Sequence, residues 1–77
     1  MSHAQPNQAL RLELNNTGAW KVILRFLADD AHATGVVQES TYQLARLDTK
    51  SKWRISTDEA QPKALAYCTH DQGWIKT

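Results

Sequence analysis

Residues 8–27 read QALRLELNNTGAWKVILRFL, two apolar-alternating runs on either side of a turn, and this stretch predicts a β-hairpin. Leu10, Leu12 and Leu14 alternate with Arg11 and Glu13, so a strand over 8–14 turns its leucines to one face. Asn15-Asn16-Thr17-Gly18 has the residue types of a tight reversal, with positive φ expected at Gly18 or Asn16. A second strand over 20–27 puts Trp20, Val22, Leu24 and Phe26 on one face and Lys21, Ile23, Arg25 and Leu27 on the other.

Beyond Leu27 the period changes. Asp29 and Asp30 are good N-cap residues and suit the positive end of a helix dipole. At 100° per residue Ala33, Val37, Ser40, Thr41, Leu44 and Leu47 gather on one side, which predicts a helix over about 30–47 with that side buried. Gly35 is its weak point, by about 1 kcal/mol relative to alanine. Alternation returns at 52–57, where Trp53 and Ile55 oppose Lys52 and Arg54. A loop over 58–62 ends at Pro62, and a strand over 64–69 follows. His70-Asp71-Gln72-Gly73 reads as a reversal with a left-handed Gly73, leading into a closing strand over 74–76. The order β-β-α-β-β-β points to an α+β fold: one mostly antiparallel sheet with one helix packed on one face. Residues 1–7 read as a flexible lead, and 8–77 as one domain.

At 77 residues the chain allows one domain at most, and its 42% hydrophobic content is enough to fold it. A single cysteine, Cys68, excludes an internal disulfide, and with no such staple in so small a domain a reducing, cytoplasmic setting is expected. No apolar run reaches the ~20 residues of a membrane span. The net charge of +1 does not mark a nucleic-acid binder. The charge is nonetheless uneven: residues 8–27 sum to +2, residues 28–48 to −3 and residues 49–77 to +2.

Chemistry-bearing motifs are scarce. The glycines at 18, 35 and 73 form no phosphate loop, and the histidines at 3, 32 and 70 have no metal-ligand spacing. Cys68 and His70 would share a strand face, but nothing near them supplies an oxyanion hole or a pocket. A free cysteine on a strand is more often a small packing residue. The chain is therefore expected to be non-enzymatic, with no cofactor and no metal.

The feature that points towards function is the sheet face opposite the predicted core. Arg11, Lys21, Arg25, Lys52 and Arg54 fall there with Ile23, against one acid, Glu13. Such a face suits an acidic protein partner or, as an alternative, a nucleic-acid backbone. It also suits plain strand solvation, since lysine and arginine guard strands against edge-to-edge aggregation. The stacking aromatics of nucleic-acid sheets are not expected there, unless the fourth strand turns Tyr67 outward. Tyr42, on the helix's polar side, is the other candidate contact residue. The expectation is a small cytoplasmic accessory protein, of the kind common in bacteria and phages. It would bind another protein, or itself through an exposed strand edge or the open face.

Overall fold

The computed structural model describes residues 8–77, so the expected lead over 1–7 lies outside the described residues. The strands are β1 (Ala9–Asn15), β2 (Lys21–Leu27), β3 (Lys52–Thr57), β4 (Ala64–Thr69) and β5 (Gly73–Lys76), and the helix α1 (Ala31–Leu47) lies between β2 and β3. The strands form one sheet in the order β2-β1-β3-β4-β5, antiparallel at every pairing. The helix carries the chain from the β2 edge over β1 to β3, which gives the expected α+β architecture.

Local chemistry accounts for the boundaries. Asn15 Oδ1 accepts the Gly18 N–H at 2.9 Å, and Gly18 turns the hairpin with φ of 100°. Asp30 caps the helix, its Oδ1 accepting the Ala33 N–H at 2.9 Å. At the other end His70 Nδ1 lies 3.1 Å from the Ala45 carbonyl oxygen. A carbonyl only accepts, so this nitrogen carries the proton and satisfies a terminal helix carbonyl. Gly73, with φ of 68°, turns the chain into β5; an added Cβ would come within 3.2 Å of the Tyr42 ring.

The core joins Leu10, Leu12, Phe26, Trp53, Ile55 and Cys68 of the sheet to Val37 and Ala45 of the helix. The helix is rotated from its predicted orientation. Its buried stripe is Val37, Thr41 and Ala45, while Leu44 and Leu47 are 49% and 85% exposed. The reason is its anchorage on the far side of the sheet. The Trp74 indole N–H donates to the Gln38 carbonyl at 2.9 Å, and Tyr42 packs over Gly73. These contacts draw α1 diagonally from the end of β2 towards β4 and β5, and its leucine flank is left facing the β2 side. Small residues in the buried stripe let the helix approach the large side chains of the sheet.

Gly35 lies inside the helix with negative φ and open space where a Cβ would stand. Gly35→Ala is expected to stabilise the fold by about 0.4–1 kcal/mol. A thermal melt at or below the wild-type midpoint would contradict this.

Candidate functional site

The outer face of the sheet, away from the helix, was expected to be an open basic surface. Most of its cations are instead paired with acids of the same chain. Glu13 pairs with Arg54 across β1 and β3, and it is only 2% exposed. Its carboxylate accepts from Arg54 Nε at 2.6 Å and Ser56 Oγ at 2.7 Å, and Arg11 Nε lies 3.2 Å away. Asp58, in the loop after β3, takes Arg11 at 3.4 Å and Arg25 at 3.1 Å. Three of the five predicted cations are thus tied to two acids. Arg11 and Arg54 are largely covered, with side chains 15% and 16% exposed, while Arg25 is 60% exposed.

Burial alone would raise the pKa of Glu13. Hydrogen bonds from Ser56 and Arg54 and the charges of Arg54 and Arg11 outweigh it, and the net shift is downward. Glu13 therefore stays ionised, as the centre of a partly buried ion cluster.

The remaining members of the predicted face are distributed by a bulge. Leu12 pairs with Leu24 and Glu13 with Val22, which leaves Ile23 unmatched. Below the bulge the expected alternation holds; above it every side chain changes face. Lys21 pairs with Leu14 of the helix-side row and so leaves the outer face. Trp20, expected in the core, goes to the outer face. Its ring lies 4.1 Å beneath the Arg54 guanidinium and 6.1 Å from the Tyr67 ring. Lys52 pairs with Asn15 and is exposed at the end of β3. Tyr42 is 38% exposed, one side against Gly73 and Arg46 above its ring at 5.8 Å.

Cys68 is wholly buried opposite Trp53 and Trp74, and burial pushes its thiol pKa up, the reverse of what a nucleophile needs. Among the described residues no cluster of three or more metal-ligating side chains occurs, and no helix is long and apolar enough to cross a membrane.

A second surface joins the exposed strand edge expected from the sequence to a helix flank that was not anticipated. β2 is a sheet edge, and six of its seven residues are exposed, among them Val22, Ile23, Leu24 and Leu27 at 38–48%. Leu24 shares the helix side of the sheet with Leu12. On α1, Val36, Ser40, Leu44 and Leu47 lie on the flank opposite Gln38 and Tyr42, which is the flank turned to β2. Val36 is 50% exposed. An open hollow of about 670 Å³ runs along this flank, lined by Glu39, Ser40, Gln43, Leu44, Arg46 and Leu47. Every lining residue comes from one helix, so it is a groove on the surface rather than an enclosed ligand pocket. Among the described residues β2 has no strand beyond it, and the apolar helix flank is turned to the same side but recedes from β2 as α1 runs towards β4 and β5. The run Val22-Ile23-Leu24 was a signal for this surface, since a strand with one solvent face rarely carries three successive large apolar residues.

No family model, curated protein or solved structure matches this chain.

Proposed function

We propose that the chain is a small non-enzymatic protein-binding module whose contact surface is the β2 edge together with the adjoining flank of α1. The observation that carries this reading is the exposure of Val22, Ile23, Leu24 and Leu27 on β2 and of Val36, Leu44 and Leu47 on the helix flank turned to that side, in so small a domain. An accumulation of exposed large apolar side chains marks interaction sites in soluble proteins. The edge adds backbone donors and acceptors that have no partner strand among the described residues and that an incoming strand can satisfy. A buried, unreactive Cys68 fits a reducing cytoplasm as the place where the module works.

Leu24→Lys combined with Leu47→Lys tests the reading. Both side chains are substantially exposed, so the double variant is expected to fold with a loss of about 1 kcal/mol or less. It is expected to lose complexes that the wild-type chain forms, alone or in extract of its native cell, as read by light scattering and tagged capture. A wild-type chain that stays uncomplexed in both settings would remove the basis of the proposal.

Single-stranded nucleic acid across the outer face is the second reading, and Trp20 and Tyr67 beside Arg54 are the observation that favours it. The pairing of Arg11, Arg25 and Arg54 with Glu13 and Asp58 weighs against it, because phosphates would compete with carboxylates already in place.

A further inference from the structure

We infer that the β2 edge takes an extended segment of another protein as an added strand, with an acidic residue opposite Arg25 and apolar residues on either side of that acid. The inference rests on the protein-binding reading above and adds the partner's chemistry. It starts from the ladder between β1 and β2. The Ala28 N–H donates to the Gln8 carbonyl at 2.9 Å, one step beyond the Ala9–Leu27 pair. Antiparallel pairs alternate between those that exchange hydrogen bonds and those that do not. Phe26 and Leu24 therefore turn their backbone groups to β1, while Leu27 and Arg25 turn theirs to the open edge. The Leu27 carbonyl is taken by the Asp30 N–H in the turn into α1. Among the described residues the Arg25 N–H and C=O and the Leu27 N–H are left for an incoming strand.

Side chains of paired residues share a face of the sheet, so the residue opposite Arg25 lies on the outer face, where Arg25 is 60% exposed. The ion cluster on that face sets Arg11, Arg25 and Arg54 against Glu13 and Asp58, three positive charges against two negative. Arg25 is the exposed member of the three. Its Nε donates to Asp58 at 3.1 Å, and its two terminal nitrogens make no hydrogen bond among the described residues. A carboxylate on the added strand meets these nitrogens and completes the charge balance. The sequence neighbours of that acid fall on the helix side, beside Leu24, which is 41% exposed, and the buried Phe26, so apolar side chains suit them. A second copy of the chain does not meet this requirement. Antiparallel pairing of Leu24–Leu27 with itself sets Arg25 against Arg25 or against Leu27, and neither is an acid.

Selection of displayed random peptides on the folded full-length chain tests the inference. The binders are expected to carry an aspartate or glutamate between two apolar residues. Their affinity should fall about tenfold or more on Arg25→Glu, and in the same direction on Arg25→Gln. Replacing the peptide's acid with lysine should restore binding to Arg25→Glu. Far-ultraviolet circular dichroism establishes that both variants are folded. Amide hydrogen exchange tests the backbone half. In the free chain the Arg25 and Leu27 amides should exchange faster than those of Leu24 and Phe26, and bound peptide should slow the first pair by about tenfold or more. Peptides that bind wild type and Arg25→Glu equally, or that leave the Arg25 and Leu27 amides unprotected, overturn the inference. So does a selection that enriches no peptide. In each of these cases a wild type whose own complexes are lost in Leu24→Lys/Leu47→Lys keeps the protein-binding reading standing, while a wild type that forms none removes both. A wild type that pairs with itself, with the same two amides protected in the dimer, overturns this inference alone.

Discussion

Trp53→Ala is expected to cost about 3–5 kcal/mol, which is most or all of the stability a domain of this size has. Trp53 is 8% exposed at the centre of the sheet, with Leu14 on one neighbouring strand and Cys68 on the other. Its indole N–H has no acceptor, so its contribution comes from apolar burial and packing rather than from a hydrogen bond. Removing the ring leaves a cavity under α1 that the surrounding strands cannot fill without breaking their ladders. Trp20→Ala is the informative contrast. That ring lies partly covered on the outer face against Arg54 and Tyr67, contacts worth about 1 kcal/mol. Thermal melts followed by circular dichroism should show Trp20→Ala only a few degrees below wild type and Trp53→Ala largely unfolded at 25 °C. Equal losses in the two variants would mean that the faces of the sheet are assigned wrongly.

Glu13→Ala is expected to cost about 3 kcal/mol, although the residue is one carboxylate on the face away from the core. The change leaves Arg54 Nε and Ser56 Oγ without an acceptor, and two guanidinium groups close together with no anion between them. Breaking a buried pair typically costs about 3–5 kcal/mol; the lower end applies because Arg11 and Arg54 can swing towards water. The same cluster sets an acid limit on stability. Glu13 has a folded-state pKa below its ordinary value of 4.5. Its contribution is therefore complete above that value and is lost as pH falls through the lowered folded one. Denaturant midpoints measured from pH 7 downward should fall with acidification in the wild type and fall less steeply in Glu13→Gln. Parallel slopes in the two proteins would show that Glu13 does not carry the linkage.

The cluster also changes what a charge substitution on this face would do. From the sequence, Arg25 and Arg54 are equivalent solvent-facing cations. In the fold Arg25 is exposed and Arg54 is held between the Trp20 ring and the Glu13 carboxylate. Reversing Arg54 to glutamate would set a second carboxylate against a buried one, whereas reversing Arg25 disturbs only a contact with Asp58.

The order of elements was legible from residues 8–77 because its signals are local. Leu10, Leu12 and Leu14 alternate, Gly18 and Gly73 stand where the chain must adopt positive φ, and Asp30 precedes a change of period. Which face each side chain occupies was decided by tertiary structure. The bulge at Ile23 falls inside Val22-Ile23-Leu24, and since all three residues are apolar, a slip of one position leaves no mark on the pattern. Trp20 and Lys21 consequently exchange the faces that simple alternation assigns them. The rotation of α1 was hidden for a related reason: Leu44 and Leu47 are the most hydrophobic residues of its second half, yet Trp74 and Gly73, some thirty residues further on, anchor the helix by Gln38 and Tyr42. Glu13 looked like a lone acid among bases, and only the register of β1 on β3 brings Arg54 and Ser56 to it across more than forty residues. Periodicity and turn chemistry depend on neighbours in the chain, while bulges, helix rotation and ion clusters depend on neighbours in space. The exposed border of β2 and α1 belongs to the second kind, because it consists of the apolar residues that this packing leaves uncovered.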